Sequence, residues 1–306
     1  MGLTLAWDRL DRAAWEDLFA TAPRSTLVQG WAWGEVKRAA GWTPRRAVIA
    51  RDGTPVALAQ VLEKRLGPVR LARLNRGPVW LAGAEDPALR LAAVALVRRR
   101  WRLWRAAALA LAPELPAGTS LKLARRRGAD PWRSAWLDLT EPAEVLRKRL
   151  DGKWRNMLNA AERAGLTLES GPEHLPWLLD NYRALLAERG FAATPPEQIE
   201  ALAAHAYRPD DLLVLRARAG DEAVAGILLA RHGGCATYLI GWSGEAGRKT
   251  KATNFLLWRA VGELAGRGVT ALDLGGIDDR LTPGVAAFKR GMNGAEYCLA
   301  GEFIAL

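Results

Sequence analysis

Residues 211–243 read DLLVLRARAGDEAVAGILLARHGGCATYLIGWS, and the fold is decided in this run. Three apolar stretches are separated by Gly220-Asp221 and by Gly233-Gly234, residues suited to tight turns. The pattern predicts three consecutive strands joined as hairpins. Downstream, residues 253–267 predict a helix stopped by Gly268, and VTALDLGG (269–276) predicts a further strand. Upstream, LTLES (166–170) predicts a short strand, followed by helices over 175–189 and 197–205.

The same order occurs earlier in the chain. Helices are predicted over 10–20 and 31–40, the second stopped by Gly41. RRAVIAR and PVALAQVLEKR flank Asp52-Gly53 as a hairpin, VRLARLNRGPVWL carries a strand to Gly77-Pro78, and Pro87 opens an Arg-rich helix. ALALAPEL and SAWLDLT predict two more strands, the second ending near Thr140. Glu141-Pro142 and Lys153 then open helices, the latter reaching Gly165. Helices, a meander, a helix and a strand thus appear twice, predicting two α+β units with a junction near residue 140. The second unit has the element order of acyltransferases with the N-acetyltransferase superfold, although order alone does not fix function.

Composition bounds the chemistry. The 306 residues hold two cysteines, Cys235 and Cys298, and three scattered histidines, so neither a disulfide framework nor a metal-ligand spacing is predicted. The N-terminal stretch carries acids from Asp8 onward and does not read as a secretory leader. The most apolar helix-like stretch, 88–111, is broken by Arg90, Arg98, Arg99, Arg100, Arg102 and Arg105, and no run reaches the roughly 20 residues of a membrane span. The expectation is a soluble, cytoplasmic chain. Its net charge of +11 would attract RNA, nucleotides or anionic lipid heads, but only eight of the 44 basic residues are lysine, a bias that high-GC coding alone also produces.

Four segments resemble the Fem family of non-ribosomal peptidyl transferases. The first is Gln29-Gly30-Trp31-Ala32-Trp33-Gly34-Glu35-Val36-Lys37, closed by Gly41-Trp42. The second is Arg76-Gly77-Pro78-Val79; the third is LDGKWRNMLNAAERAGL over 150–166. The fourth is LDLGGIDD from Leu272, followed by Gly284 and the pair Phe288-Lys289. They stand in family order along nearly the whole chain. The resemblance implies an α+β fold of two tandem GNAT-like domains, with mixed sheets flanked by helices. Residues 1–140 would form the acceptor-binding domain, completed by a C-terminal strand within 296–306. Residues 141–295 would form the domain for the aminoacyl end and catalysis. It further implies aminoacyl-tRNA as co-substrate with no cofactor, UDP-MurNAc-pentapeptide or lipid II as acceptor, no DNA partner, and peripheral contact with the inner membrane face.

Carried over by position, the resemblance places Lys37 and Arg155 on phosphates of the precursor, with Lys153 beside Arg155 and Arg76 beside the Gly-Pro loop. It places Lys289 and Phe288 at the aminoacyl end and Tyr238 near the peptide channel. The reaction is attack of an amine on an activated ester, and a cation at the developing oxyanion acts mainly in the transition state, a role that suits Lys289. Asp273 and Asp278 are candidate orienters, although carboxylates beside Gly-Gly commonly cap turns. Family members often place a carboxylate just after Gly-Pro-Val; this chain has Trp80 and Leu81. That substitution leaves the acceptor open.

Ordinary structural readings exist for most of these residues. Trp31, Trp33 and Trp42 suit packing, and the basic run 147–155 suits a solvated helix face. Two other functions compete. A coenzyme-A-dependent N-acyltransferase would seat pyrophosphate on a loop of the form Arg/Gln-x-x-Gly-x-Gly/Ala. Here the loop is Gly247-Arg248-Lys249-Thr250-Lys251-Ala252-Thr253, with Lys251 where that Gly would stand. Arg248, Lys249 and Lys251 are therefore read as contacts to tRNA. A non-catalytic RNA-binding or wall-scaffold protein is the other competitor, but no recognised RNA-binding module appears.

Overall fold

The structure is a computed structural model that describes residues 2–102, 106–121, 123–125, 130–189 and 193–305; Arg105 of the Arg-rich stretch lies outside them. The chain divides into two units. The first comprises residues 1–133, 232–234 and 297–306, and the second 134–231 and 235–296.

In the first unit, β1 (Leu3–Trp7) leads to α1 (Arg12–Ala20) and α2 (Trp31–Ala39). Asp11 starts α1 by accepting a hydrogen bond from the Ala14 amide at 2.9 Å, and the helix buries Trp15 and Phe19. A meander of β2 (Thr43–Arg51), β3 (Thr54–Leu66) and β4 (Val69–Gly77) follows. Its first hairpin turns through Asp52 and Gly53, at φ 50° and 85°. Both central residues are left-handed, as a two-residue turn matched to strand twist requires. After β5 (Val79–Trp80), α3 (Pro87–Arg98) carries Pro87 in its first turn and Asp86 as its N-cap. It crosses over to β6 (Ala107–Pro113), which pairs parallel with β4. Among the described residues the sheet runs β1-β2-β3-β4-β6, then β15 (Phe303–Ala305), then β7 (Ala124–Arg125), with β5 attached to β3.

The second unit repeats this plan. Its sheet comprises β8 (Arg133–Asp138), β9 (Thr167–Ser170), β10 (Leu212–Ala219), β11 (Glu222–His232), β12 (Cys235–Ser243), β13 (Ala271–Asp273) and β14 (Ala295–Cys298). Helices α4 (Ala143–Arg149), α5 (Gly152–Arg163), α6 (Leu175–Arg189), α7 (Pro196–Ala204), α8 (Glu245–Lys249), α9 (Ala252–Gly266) and α10 (Pro283–Arg290) surround it. The strand order is β14-β8-β13-β12-β11-β10-β9, and α9 is the crossover between the parallel pair β12 and β13. α9 buries Phe255, Leu256, Leu257, Ala260, Val261 and Leu264, and α5 adds Trp154 and Leu158 to the same core. Burial on that scale drives the packing of helix on sheet.

SAWLDLT corrects the sequence reading. Its strand, β8, pairs with β13 through Ala271↔Asp138, Leu272↔Leu137 and Asp273↔Trp136, so it belongs to the second sheet. The division accordingly falls at Arg133/Ser134, not near 140. The chain's last strand, β15, pairs with β6 and β7 in the first sheet.

The two parallel crossovers differ in one respect. β4 and β6 stay paired from Arg70↔Ala107 to Gly77↔Pro113. β12 and β13 pair only over Cys235↔Ala271, Ala236↔Leu272 and Thr237↔Asp273. Beyond that point β12 continues to Ser243 while the chain after Asp273 turns away, its Leu274 amide bonding to the Ala135 carbonyl at 3.0 Å. The first sheet is closed at this place and the second is open.

Candidate functional site

The open end of β12 and β13 brings together Ser134, Asp273 and Lys289, three buried polar groups of the second unit. Asp273, the last residue of β13, is wholly buried. It accepts hydrogen bonds from the Ser134 hydroxyl and from the Gly275 amide at 2.9 Å. The Ser134 hydroxyl also lies 2.7 Å from the Gly275 carbonyl, so β8 clamps the turn from a second side. Gly275 is at φ 73°, and a Cβ there would stand 2.7 Å from the Tyr238 carbonyl and 3.3 Å from Lys289 Nζ. Glycine is required on both counts.

This turn presents the Gly276 carbonyl to Lys289, whose Nζ donates to it at 2.7 Å. Lys289 sits in the last turn of α10 with 7% of its surface exposed, and its Nζ lies 5.7 Å from the centre of the Tyr238 ring. Burial pulls this ammonium down to about 8, against the opposing pull of Asp273. Tyr238 is buried as well, and that burial raises its phenol. An ammonium so placed is desolvated and fixed in direction. It is equipped to hold a developing oxyanion, because charge stabilisation is strongest where water is excluded. Phe288 does something different: its ring packs 6.0 Å from Trp154 and forms apolar wall. Asp278 accepts from the amides of Arg280 and Leu281, both at 2.8 Å, which makes it the cap of a turn.

The basic residues of the second unit are mostly engaged locally. Arg147 pairs with Glu162 and Arg149 with Glu141. Arg155 donates to the Lys148 carbonyl at 3.0 Å, while Lys153 is exposed in the first turn of α5. In α8 and the turn that joins it to α9, Arg248 donates to the Ser243 carbonyl at 2.8 Å, Lys249 pairs with Glu245 at 2.7 Å, and Lys251 Nζ donates to the Arg248 carbonyl at 3.1 Å. Lys251 itself is at φ 58°. It holds the left-handed conformation that glycine would supply there, with a side chain folded back on the loop.

In the first unit, most of the tryptophan-rich segment serves architecture. Gln29 donates to the carbonyls of Gln60 and Asn75 at 3.0 and 2.8 Å and accepts from the Gln60 amide at 2.7 Å. Arg46 stacks 3.4 Å over the Trp31 ring and pairs with Glu35 at 2.9 Å. Gly34 leaves room for this assembly, since a Cβ would meet Gln60 Oε1 at 2.3 Å. Lys37 stands apart from it. Its Nζ lies 4.7 Å from the Trp33 ring centre, and burial followed by the nearby Arg73 charge lowers its pKa. Arg73 is itself paired with Glu302, so the positive charge beside Lys37 is partly neutralised already.

Arg76, at φ 50° before the cis Gly77-Pro78 bond, is buried between Trp132 and Tyr297. Its guanidinium pairs with Glu114 at 3.2 Å and donates to the Tyr297 hydroxyl at 2.6 Å. Trp80 donates its indole N–H to the Glu114 carbonyl at 2.6 Å. Glu114, the residue after β6, thus brings a carboxylate to the Gly-Pro-Val turn, its amide donating to the Gly77 carbonyl at 3.2 Å. Ser134, Glu114, Arg73 and Tyr297 escape a sequence reading, because their partners lie far away along the chain, 139 residues for Ser134 and Asp273. Among the described residues no group of three or more His, Cys, Asp or Glu is placed to hold a metal ion, and no helix is long and apolar enough to cross a membrane.

Comparison with known proteins identifies the fold. The family described as Acetyltransferase (GNAT) domain matches residues 146–290. The crystal structure of FemX superimposes with a TM-score of 0.79 at 17% identity, over 98% of this chain and 97% of that one. A conserved protein of unknown function from Bacteroides thetaiotaomicron gives 0.59 at 10% identity, over 98% and 99%. A tandem GNAT protein from the clavulanic acid biosynthesis pathway gives 0.51 at 14% identity, over 99% and 98%. No curated protein sequence matches the chain. The chain therefore has the tandem GNAT-like fold seen in FemX.

Proposed function

We propose that this protein is an aminoacyltransferase of the Fem type, which moves an amino acid from aminoacyl-tRNA to the stem peptide of a peptidoglycan precursor. The observation that carries the reading is Lys289, a buried ammonium held by the Gly276 carbonyl at the open end of β12 and β13. An aminoacyl ester entering that opening would present its carbonyl oxygen to Nζ as the acceptor amine attacks. The ester is already activated, so no covalent enzyme intermediate is needed. Asp273 and Ser134 orient the turn that orients Lys289. Tyr238 supplies the ring face beneath the ammonium. The leaving ribose hydroxyl takes up the proton that the amine releases. In the first unit, Lys37 would receive a phosphate of the precursor, and Arg76 with Glu114 would line the approach beside Gly77-Pro78. Lys153 and Arg155 add positive charge on α5, and Arg248, Lys249 and Lys251 face the tRNA acceptor stem.

One observation favours a second reading, N-acylation from an acyl-coenzyme A. Lys251 keeps the left-handed backbone of a pyrophosphate loop. Against it, the amides of Arg248, Thr250 and Lys251 already donate to carbonyls of the same loop. Fewer are left to cradle a phosphate.

Transfer of radiolabelled amino acids from a mixed pool of charged tRNA to UDP-MurNAc-pentapeptide tests the proposal, with Lys289→Ala and acetyl-coenzyme A as comparisons. Label should reach the pentapeptide only from tRNA and only with Lys289 present. Transfer from acetyl-coenzyme A alone would overturn the donor.

A further inference from the structure

At one end of the first sheet, the β3–β4 hairpin carries Leu66 and Val69 directly opposite each other across the turn Gly67-Pro68. They are 53% and 39% exposed. The next pair back is Arg65↔Arg70, followed by Lys64↔Leu71. The end of α3 lies at the same place. Trp101 donates its indole N–H to Glu63 at 2.7 Å, the Ala107 amide bonds to the Arg102 carbonyl at 3.2 Å, and the Arg70 amide bonds to the Ala106 carbonyl at 2.9 Å. Arg100 is thereby brought beside Arg45 and Arg70, with Arg65 paired opposite Arg70, while Lys64 lies on the other face of the hairpin over Trp42. Among the described residues, Glu63 and Asp8 are the acids that face this group. Glu63 is taken up by Trp101 and Arg70, and Asp8 by Arg45. The end of the sheet is strongly cationic around a protruding aliphatic pair.

We infer that this hairpin tip docks on an anionic lipid surface, with Leu66 and Val69 entering the headgroup region and the surrounding arginines and Lys64 meeting lipid phosphates. Charge complementarity selects the occupant, since basic side chains around a small apolar tip are what a negatively charged bilayer surface holds. The aliphatic tip also separates a membrane from RNA. Bases stack on exposed aromatic rings, whereas Trp101 is fully buried and packs edge-to-face with Trp7 at 5.2 Å between centroids. The corresponding turn of the second sheet, Gly233-Gly234, has no aliphatic pair. The inference rests on the sheet end alone and does not depend on the reaction proposed above.

Co-sedimentation of the full chain with vesicles of phosphatidylcholine, or of equimolar phosphatidylcholine and phosphatidylglycerol, provides the test. Wild type should pellet with the anionic vesicles, stay in solution with the neutral ones, and be released by high salt. Leu66→Asp with Val69→Asp should weaken anionic-vesicle binding about tenfold or more, while Leu66→Trp should retain or strengthen it. Near-ultraviolet circular dichroism checks that each variant is folded. Wild type remaining in the supernatant, or aspartates at both positions leaving binding unchanged, would overturn the inference. So would binding to an RNA hairpin that these aspartates abolish without any vesicle binding.

Discussion

Replacing Lys289 with Met tests the central electrostatic argument, because Met fills a similar volume and does not titrate. Lys289 falls from 10.5 to about 8 on folding, and burial is the main cause. The drop corresponds to about 3 kcal/mol of differential interaction. Its sign follows from proton linkage. Below pH 8 both folded and unfolded chains carry the proton, so the native state bears the whole penalty. Between about 8 and 10.5 the unfolded chain binds the proton more tightly, and stability rises with pH. Above 10.5 neither state is protonated and the penalty is gone. Wild type should therefore gain about 3 kcal/mol relative to Lys289→Met between neutral pH and about pH 10.5. Urea denaturation of both proteins at several pH values measures this, and taking their difference cancels Tyr238 and the other titrating groups. A difference flat to within about 0.5 kcal/mol across that range would mean that Nζ is solvated, and the site reasoning would fall with it. In the transfer assay, loss of an ammonium that holds the oxyanion should cost about a hundredfold to a thousandfold in kcat. Wild-type kcat should decline as pH rises past about 8, the value at which Lys289 loses its proton.

Gly275→Ala should destabilise the protein by about 2–3 kcal/mol, since it combines a left-handed backbone with a Cβ 2.7 Å from a carbonyl; thermal unfolding that matches wild type would refute this. Gln29→Ala removes three hydrogen bonds to buried backbone and should cost about 3 kcal/mol in urea, with kcat affected only through the folded fraction. Lys251→Gly should leave stability unchanged or raise it by up to about 1 kcal/mol, because glycine occupies φ 58° without strain. A clear drop in melting temperature would show that the bond from Nζ to the Arg248 carbonyl outweighs the backbone term.

Local pattern was enough for the elements. The hairpin at Asp52-Gly53, Pro87 at the start of α3 and Gly268 after α9 are punctuation that a single chain carries in its own residues. The tryptophan-rich segment could also be located from sequence, but not apportioned. Only coordinates separate Gln29, Trp31, Gly34 and Glu35, which hold the first unit together, from Lys37, which is left beside Arg73. Conversely, the short β1 carries too few residues for its period to stand out, and the reading missed it.

What the sequence by itself determined is the repeated order of helices, meander, crossover helix and strand, because periodicity and turn residues act over a few neighbours. Tertiary structure alone decided which strand completes which sheet. β8 enters the second sheet between β13 and β14, and β15 enters the first between β6 and β7, since pairing depends on free edges that exist only after the meanders form. It also decided the chemistry of Lys289. A lysine in a sequence is a solvated charge until β8, β13 and α10 meet. Only then does Gly276 hold it beside Asp273, in a turn that Ser134 clamps, and burial withdraw its water.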